Sequence, residues 1–227
     1  MATLQPFAHH RFAGSHREVG RQHGEALRAL IARHLDLVLA RGLRKSGLSR
    51  EQALDLAGRF VPFVAQYSPG LWEEIEGLAE GAGIAVHEAM LLQVKQEVIH
   101  LARFAAADQE CTTFAVAAPY TRTGYTYAGQ NADLSGPMED LSVVAALEVT
   151  GKPRVLMLLP AGQVSYIGMN EAGLSACGNF LHCSGWRRGY PRYLLTRLAL
   201  EQTDLEAAVT AAVTPPRASA RNLMFAS

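Results

Sequence analysis

At Cys111 the residue pattern of this chain changes period. Before it, about a hundred residues carry apolar side chains at helical spacing; after it, apolar and polar residues alternate. The alternating run Cys111 to Pro119 opens with Cys111-Thr112-Thr113. The joint ahead of it, Arg103-Phe-Ala-Ala-Ala-Asp-Gln-Glu110, is polar and rich in alanine. A helical first half followed by strands reads as an α+β chain.

In the first half, residues 16–42 carry Val19, Leu27, Leu30, Ile31, Leu37 and Val38 on one stripe and predict a helix. Ser49-Arg-Glu-Gln52 has the form of a capping box and opens a second helix, which Pro62 should kink or end. Ser68-Pro69 predicts an N-cap with proline at the first helical position, and Gly81 and Gly83 should close that helix. A fourth helix is expected from about Val86 to Phe104. Strands are expected at Cys111–Pro119, Tyr125–Asp133, Ser142–Val149, Arg154–Leu159, Gln163–Met169 and Leu174–Phe180, with a tight turn at Asn170-Glu-Ala-Gly173. Helical spacing returns at Pro191–Leu200. Thr203-Asp-Leu-Glu206 resembles a capping box before Ala207–Val213, and Asn222–Ala226 reads as a last strand.

Composition narrows the function. The 227 residues include 21 basic and 21 acidic side chains, so the net charge is zero. No basic face is available for nucleic acid or an anionic membrane. No apolar run approaches the roughly 20 residues that span a bilayer, and the N-terminus has no apolar signal core. Three cysteines, an odd number, argue against a secreted disulfide framework. The expectation is a soluble protein of a reducing compartment, the cytoplasm.

A cut between Glu110 and Cys111 would make Cys111 a new chain start. One residue would then hold a thiol nucleophile and an α-amine with a pKa near 8, a workable base at neutral pH. That is the logic of an N-terminal-nucleophile hydrolase, made as a zymogen that cuts itself. If the hairpin turn centres between Arg122 and Thr123, Cys111 lies opposite Leu134 and Thr112 opposite Asp133. A shift of one residue places Asp133 opposite Cys111. Asn179, in Cys177-Gly-Asn-Phe-Leu-His182, offers a side-chain N–H to an oxyanion. Each of Cys111, Asp133 and Asn179 has an ordinary structural explanation when taken alone: a small core thiol, a turn carboxylate, a loop amide. Together they place a thiol, a carboxylate and an amide at three strand ends. Cys177, His182 and Cys183 lack metal-ligand spacing, His9, His10, His16 and His23 are scattered, and no phosphate loop or Gly-x-Ser-x-Gly elbow occurs. No metal and no cofactor are expected.

Four segments resemble the acyl-coenzyme A:6-aminopenicillanic acid acyltransferase (isopenicillin N acyltransferase) family, in order along nearly the whole chain. They are Arg17-Glu-Val-Gly-Arg-Gln-His-Gly24; Glu73-Glu-Ile-Glu-Gly-Leu-Ala-Glu-Gly81 leading to Met90-Leu-Leu-Gln93 and Glu97; Cys111-Thr-Thr with Gly129-Gln-Asn-Ala-Asp133; and Gly168-Met-Asn-Glu-Ala-Gly173 through Asn179-Phe-Leu-His182. The resemblance implies a four-layer αββα sandwich with an N-terminal helical segment. It implies a cut at Glu110–Cys111 and two associated chains, 1–110 and 111–227, forming one composite domain. Cys111 would be the nucleophile, Asp133 the carboxylate at the end of the next strand and Asn179 the oxyanion-hole amide. The substrate would be an amide or thioester. Penicillin-type transfer, with acyl-coenzyme A as co-substrate, is the narrower alternative, and a non-catalytic fragment or binding module that never matures is the third. Three features depart from the pattern. The best-known members have glycine before the nucleophile where this chain has Glu110, a carboxylate that disfavours thiolate. The more distant bile-salt hydrolases and penicillin V amidases place arginine where Gln130 stands. Family members also continue beyond the point matching Ser227, with further strands. The C-terminal part of the sandwich is therefore expected to be truncated here, or the reading to be incomplete there.

Overall fold

A computed structural model describes residues 7–102, 110–133, 136–181 and 183–227. Of the expected joint Arg103–Glu110, residues 103–109 lie outside them, as do Leu134 and His182. The first half begins with a strand that the sequence pattern does not announce, β1 (His9–Gly14). Six helices follow: α1 (His16–Ala26), α2 (Arg28–Ser46), α3 (Arg50–Gly58), α4 (Val61–Tyr67), α5 (Pro69–Ala82) and α6 (Val86–Ala102). The second half runs β2 (Glu110–Val116), β3 (Tyr127–Asp133), β4 (Ser142–Val149), β5 (Val155–Pro160), β6 (Ile167–Asn170), β7 (Ser175–Asn179), α7 (Leu194–Leu200), α8 (Leu205–Val213) and β8 (Asn222–Ala226).

Local chemistry explains most boundaries. Ser15 and Ser49 cap α1 and α3 with full capping boxes, Ser15 with Glu18 and Ser49 with Gln52. The expected helix over 16–42 is two helices, because α1 ends on Leu27 and α2 starts at once at Arg28. Pro62 falls in the first turn of α4, where its missing N–H costs nothing. Ser68 precedes α5, but its hydroxyl leaves the helix start and bonds Val64 O and Tyr190 Oη. Gly83 closes α5 in the left-handed region, at φ 71°. Asp204, not Thr203, caps α8, its side chain accepting from Ala207 N. The turn at Asn170 is as expected: the side-chain oxygen accepts from Ala172 N and Leu174 N, with Gly173 at φ 91°.

Among the described residues the strands form a six-stranded sheet, ordered β1-β4-β5-β6-β7-β8, and a separate two-stranded sheet, β2-β3. In the large sheet β1 pairs with β4 in parallel and the other neighbours are antiparallel. Its inner face, with Val143, Ala145, Leu147, Val155, Met157, Leu159 and Ala176, packs on the helices. On the outer face Leu156 and Met169 stay exposed. The β2-β3 hairpin sits over part of that face. The described residues thus make a helical layer, a large sheet and a partial second sheet. The mixed α+β class agrees with the sequence, and the four-layer sandwich goes beyond what these residues contain.

Two of the four family-like segments are α1 and α5, and glycines bring their backbones into contact. A Cβ on Gly20 would stand 1.9 Å from Glu74 O, and one on Gly77 would stand 2.1 Å from Arg17 O. Gly24 and Gly81 meet the opposite backbone in the same way. No side chain could yield here, since the obstacle is backbone. Gly20→Ala or Gly77→Ala should therefore force the helices apart, costing about 1–3 kcal/mol or more and lowering Tm by roughly 3–10 °C. A thermal melt unchanged by either substitution would contradict this contact.

Candidate functional site

The two strands that carry the sequence-predicted nucleophile and carboxylate pair with Glu110 opposite Asp133, Cys111 opposite Ala132 and Thr113 opposite Gln130. This corrects the expected register. The turn is not tight: a 3-10 turn at Ala118–Tyr120 and Gly124 at φ 73° make a longer connection and move its centre. Directly opposed residues share a face of the sheet. Cys111, Thr113, Gln130 and Ala132 therefore point one way, and Asp133 points the other. Asp133 is next to Cys111 along the ladder but exposed on the far side.

The face with Cys111 meets the end of β7. The Asn179 side chain donates from Nδ2 to Cys111 O at 2.9 Å. Its Oδ1 accepts from Thr113 Oγ1 at 3.0 Å and from Asn222 Nδ2 at 2.9 Å. Asn222 is the register partner of Asn179 on β8. One residue back, the Gln130 carboxamide donates to Gly178 O at 2.9 Å and accepts from Gly178 N at 2.8 Å. Gln130 thus serves Gly178 as a neighbouring strand would, beyond the point where β6 stops pairing with β7. An arginine there has no acceptor to offer. A Cβ at 178 would lie 2.6 Å from Arg221 Nε, so any larger residue there would have to displace that guanidinium.

Behind this junction lies a buried polar layer. Burial pushes Tyr166 up, with the Tyr193 phenol and the Cys111 thiol adding to it. Burial lowers Arg221, whose guanidinium lies over the Tyr193 ring at 5.0 Å. Arg192 is 1 % exposed and stacks over Phe180 at 4.4 Å, Tyr193 at 4.9 Å and Trp186 at 5.1 Å. Its backbone N–H donates to Glu97 Oε1, and burial pushes Glu97 up. Lys95, pushed down to about 7 mainly by burial, donates to His34 Nε2. Burial and the nearby Lys95 take His34 down to about 3, and His34 Nδ1–H is left to donate to Ala161 O.

The three cysteines are free. Cys111 is half-buried, whereas Cys177 is buried and its thiol pushed up by burial. Cys177 helps line an apolar groove of about 520 Å³ between the hairpin and the outer sheet face, with Tyr127, Gln130, Leu156, Ile167 and Met169. Among the described residues, no cluster of three His, Cys, Asp or Glu side chains could hold a metal ion, and no helix is long and apolar enough to cross a membrane.

The structure brings Cys111 and Asn179 together and sets Asp133 on the other side of the hairpin. Sequence reasoning missed Thr113, Gln130 and Asn222. The alternation of β2 already assigns Thr113 to the face of Cys111, whereas Gln130 joins that face only through the hairpin register. Asn222 has no such signal, because its partner is set by a strand pairing 43 residues apart in the chain.

Two comparisons bear on this site. Residues 121–227 match a family model described as acyl-coenzyme A:6-aminopenicillanic acid acyl-transferase. A curated protein of Emericella nidulans, named acyl-coenzyme A:6-aminopenicillanic-acid-acyltransferase 40 kDa form, is 29 % identical over 192 residues. That alignment covers 84 % of this chain and 52 % of the relative. The chain spans about half the length of the curated relative it matches. The resemblance to this acyltransferase family, read from four segments of sequence, is borne out by both matches.

The Gln130 clamp has a direct test. Gln130→Glu keeps the shape but sets a second acceptor against Gly178 O. It should cost about 1–3 kcal/mol, the penalty of a buried carbonyl left without its donor. Denaturant unfolding checks this, and an unchanged midpoint would remove the clamp from the account.

Proposed function

We propose that this chain carries the nucleophile and the oxyanion donor of a self-processing cysteine amidohydrolase or acyltransferase. The observation that carries the reading is the hydrogen-bonded junction of Cys111, Thr113 and Asn179 across β2 and β7. There a half-buried cysteine meets a fixed amide donor through its backbone carbonyl, in a chain whose matches bear an acyltransferase name, and both support the reading.

Maturation comes first. The Cys111 thiol gives up its proton and Sγ attacks the Glu110 carbonyl carbon. The C–N bond breaks, the Cys111 nitrogen takes a proton, and a thioester joins Glu110 to Cys111. Water hydrolyses it to a Glu110 carboxylate and a free thiol. In the second stage Cys111 Sγ attacks the carbonyl carbon of an amide or thioester. The new α-amine accepts the thiol proton and passes it to the leaving amine or thiol. Water or an amine then takes the acyl group from Cys111. The second N–H of Asn179, together with backbone N–H groups, holds the oxyanion in both half-reactions. Asp133 stands opposite Glu110 in the ladder, so its role is at the freed amine and not at the thiol. The name of the curated relative favours acyl-coenzyme A as donor and an amine as acceptor, in which case the coenzyme is a co-substrate.

The two products of the cut would remain together. Residues on both sides of the joint share one core, and β1 of the first segment is a strand of the sheet built by the second. Intact mass should show two chains, with the second starting Cys-Thr-Thr-Phe, and Cys111→Ala should stay as one chain. An active preparation that contains only uncut chain would sink the maturation step. On processed protein, Asn179→Ala should lower kcat by roughly a hundredfold with little change in KM, the mark of a contact made in the transition state. A rise in KM alone would make Asn179 a binding residue.

A further inference from the structure

Asn179 can present its N–H groups to the site in only one of two senses. An amide side chain fits its pocket equally well when flipped by 180°, so something must choose between oxygen and nitrogen. Cys111 O carries no proton and can only accept, which assigns Nδ2 to that side. The other side must then offer donors to Oδ1. Two donors converge there from different sheets: Thr113 Oγ1 on β2 and Asn222 Nδ2 on β8. Both lone pairs of the oxygen are thereby taken. Asn222 is exposed, so this hydrogen bond contributes little to the core.

We propose that Asn222 and Thr113 are positioning residues that, together with the Cys111 carbonyl, hold the Asn179 carboxamide in this sense and so keep its N–H donors aimed at the reacting carbonyl oxygen. This inference rests on the function proposed above. Flipped, the amide would set Oδ1 against Cys111 O and against the developing oxyanion, and the donor would become a repulsive group.

The test compares two substitutions whose order a merely structural role would reverse. Asn222→Asp is nearly isosteric but places a carboxylate against Oδ1, a contact relieved only by the flip. It should lower kcat by roughly a hundredfold with KM little changed, matching loss of the Asn179 donor. Asn222→Ala leaves Thr113 in place and should cost less than about tenfold. Protonating the introduced carboxyl, with an ordinary pKa near 3.9, supplies a donor again. The Asn222→Asp deficit relative to wild type should therefore shrink as pH falls from 7 to 4. Thr113→Ser should retain turnover that Thr113→Val loses. The probe is 4-nitrophenyl acetate on processed protein, with nitrophenol release read alongside acetylation of Cys111 by intact mass. If Asn222→Asp turns over like wild type, or Asn222→Ala is the worse of the two, the positioning role is wrong. Asn179→Ala on processed protein, and Cys111→Ala assayed as the uncut chain, are run in parallel and separate that failure from the larger one. If they lose turnover while Asn222→Asp keeps it, only this inference falls. If Cys111→Ala keeps turnover, the nucleophile itself is misassigned.

Discussion

Glu74 is where the two halves of the molecule are joined. Its backbone oxygen is the atom against which Gly20 of α1 packs, and its carboxylate takes both Nη1 and Nη2 of Arg197 at 3.1 Å. Both side chains are 1 % exposed. Burial alone would push the Glu74 carboxyl up. Arg197 outweighs it, with His16 Nδ1 at 2.8 Å assisting, and the group is held below the usual carboxylate range. A buried pair is not in itself a large source of stability, but losing one partner strands a charge and costs about 3–5 kcal/mol. The constraint is therefore one of specificity: α5 can dock in the register that the glycines allow only if α7 brings Arg197 to meet it.

Other contacts across the joint follow the same plan, each joining a polar group of the helices to backbone of the second half. Gln93 donates to Gly162 O and accepts from Val164 N. His23 accepts from Gly162 N; buried, stacked on Phe12 and lowered to about 4 mainly by that burial, it stays neutral so that it can. Helix side chains thus satisfy Ala161 O, both backbone groups of Gly162 and both of Val164, while Ala161 N and Gln163 N find backbone carbonyls. These buried groups would otherwise lack partners, so the helical segment and the sheet complete each other's hydrogen bonding.

The candidate site lies at the seam between the two sheets. A hairpin of two strands is marginal alone, and this one is held to β7 by side-chain amides and not by a backbone ladder. Gln130 grips Gly178, and Asn179 grips the first residues of β2. The same bonds that dock the hairpin therefore set the geometry around Cys111. A substitution in this seam would act on fold and chemistry together.

Much was legible in the sequence because it depends on neighbours a few residues apart. The capping box at Ser49, the turn at Asn170 and the strands Ser142–Val149 and Asn222–Ala226 are local, and periodicity or side-chain-to-backbone bonding determines them. The likeness of α1 and α5 to an acyltransferase family was also written in residues, although not its reason, which is that glycines let two backbones touch. The tertiary structure decided the rest. The hairpin register put Asp133 on the face away from Cys111, because a longer connection changed which residues oppose each other, and alternation turns that change into a change of face. β1 escaped notice because a short edge strand of mixed character becomes a strand only by pairing with β4. Thr113, Gln130 and Asn222 acquired their partners from β7, β8 and the packing of two sheets. Hydrogen bonds between groups far apart in the chain exist only once the fold has brought them together.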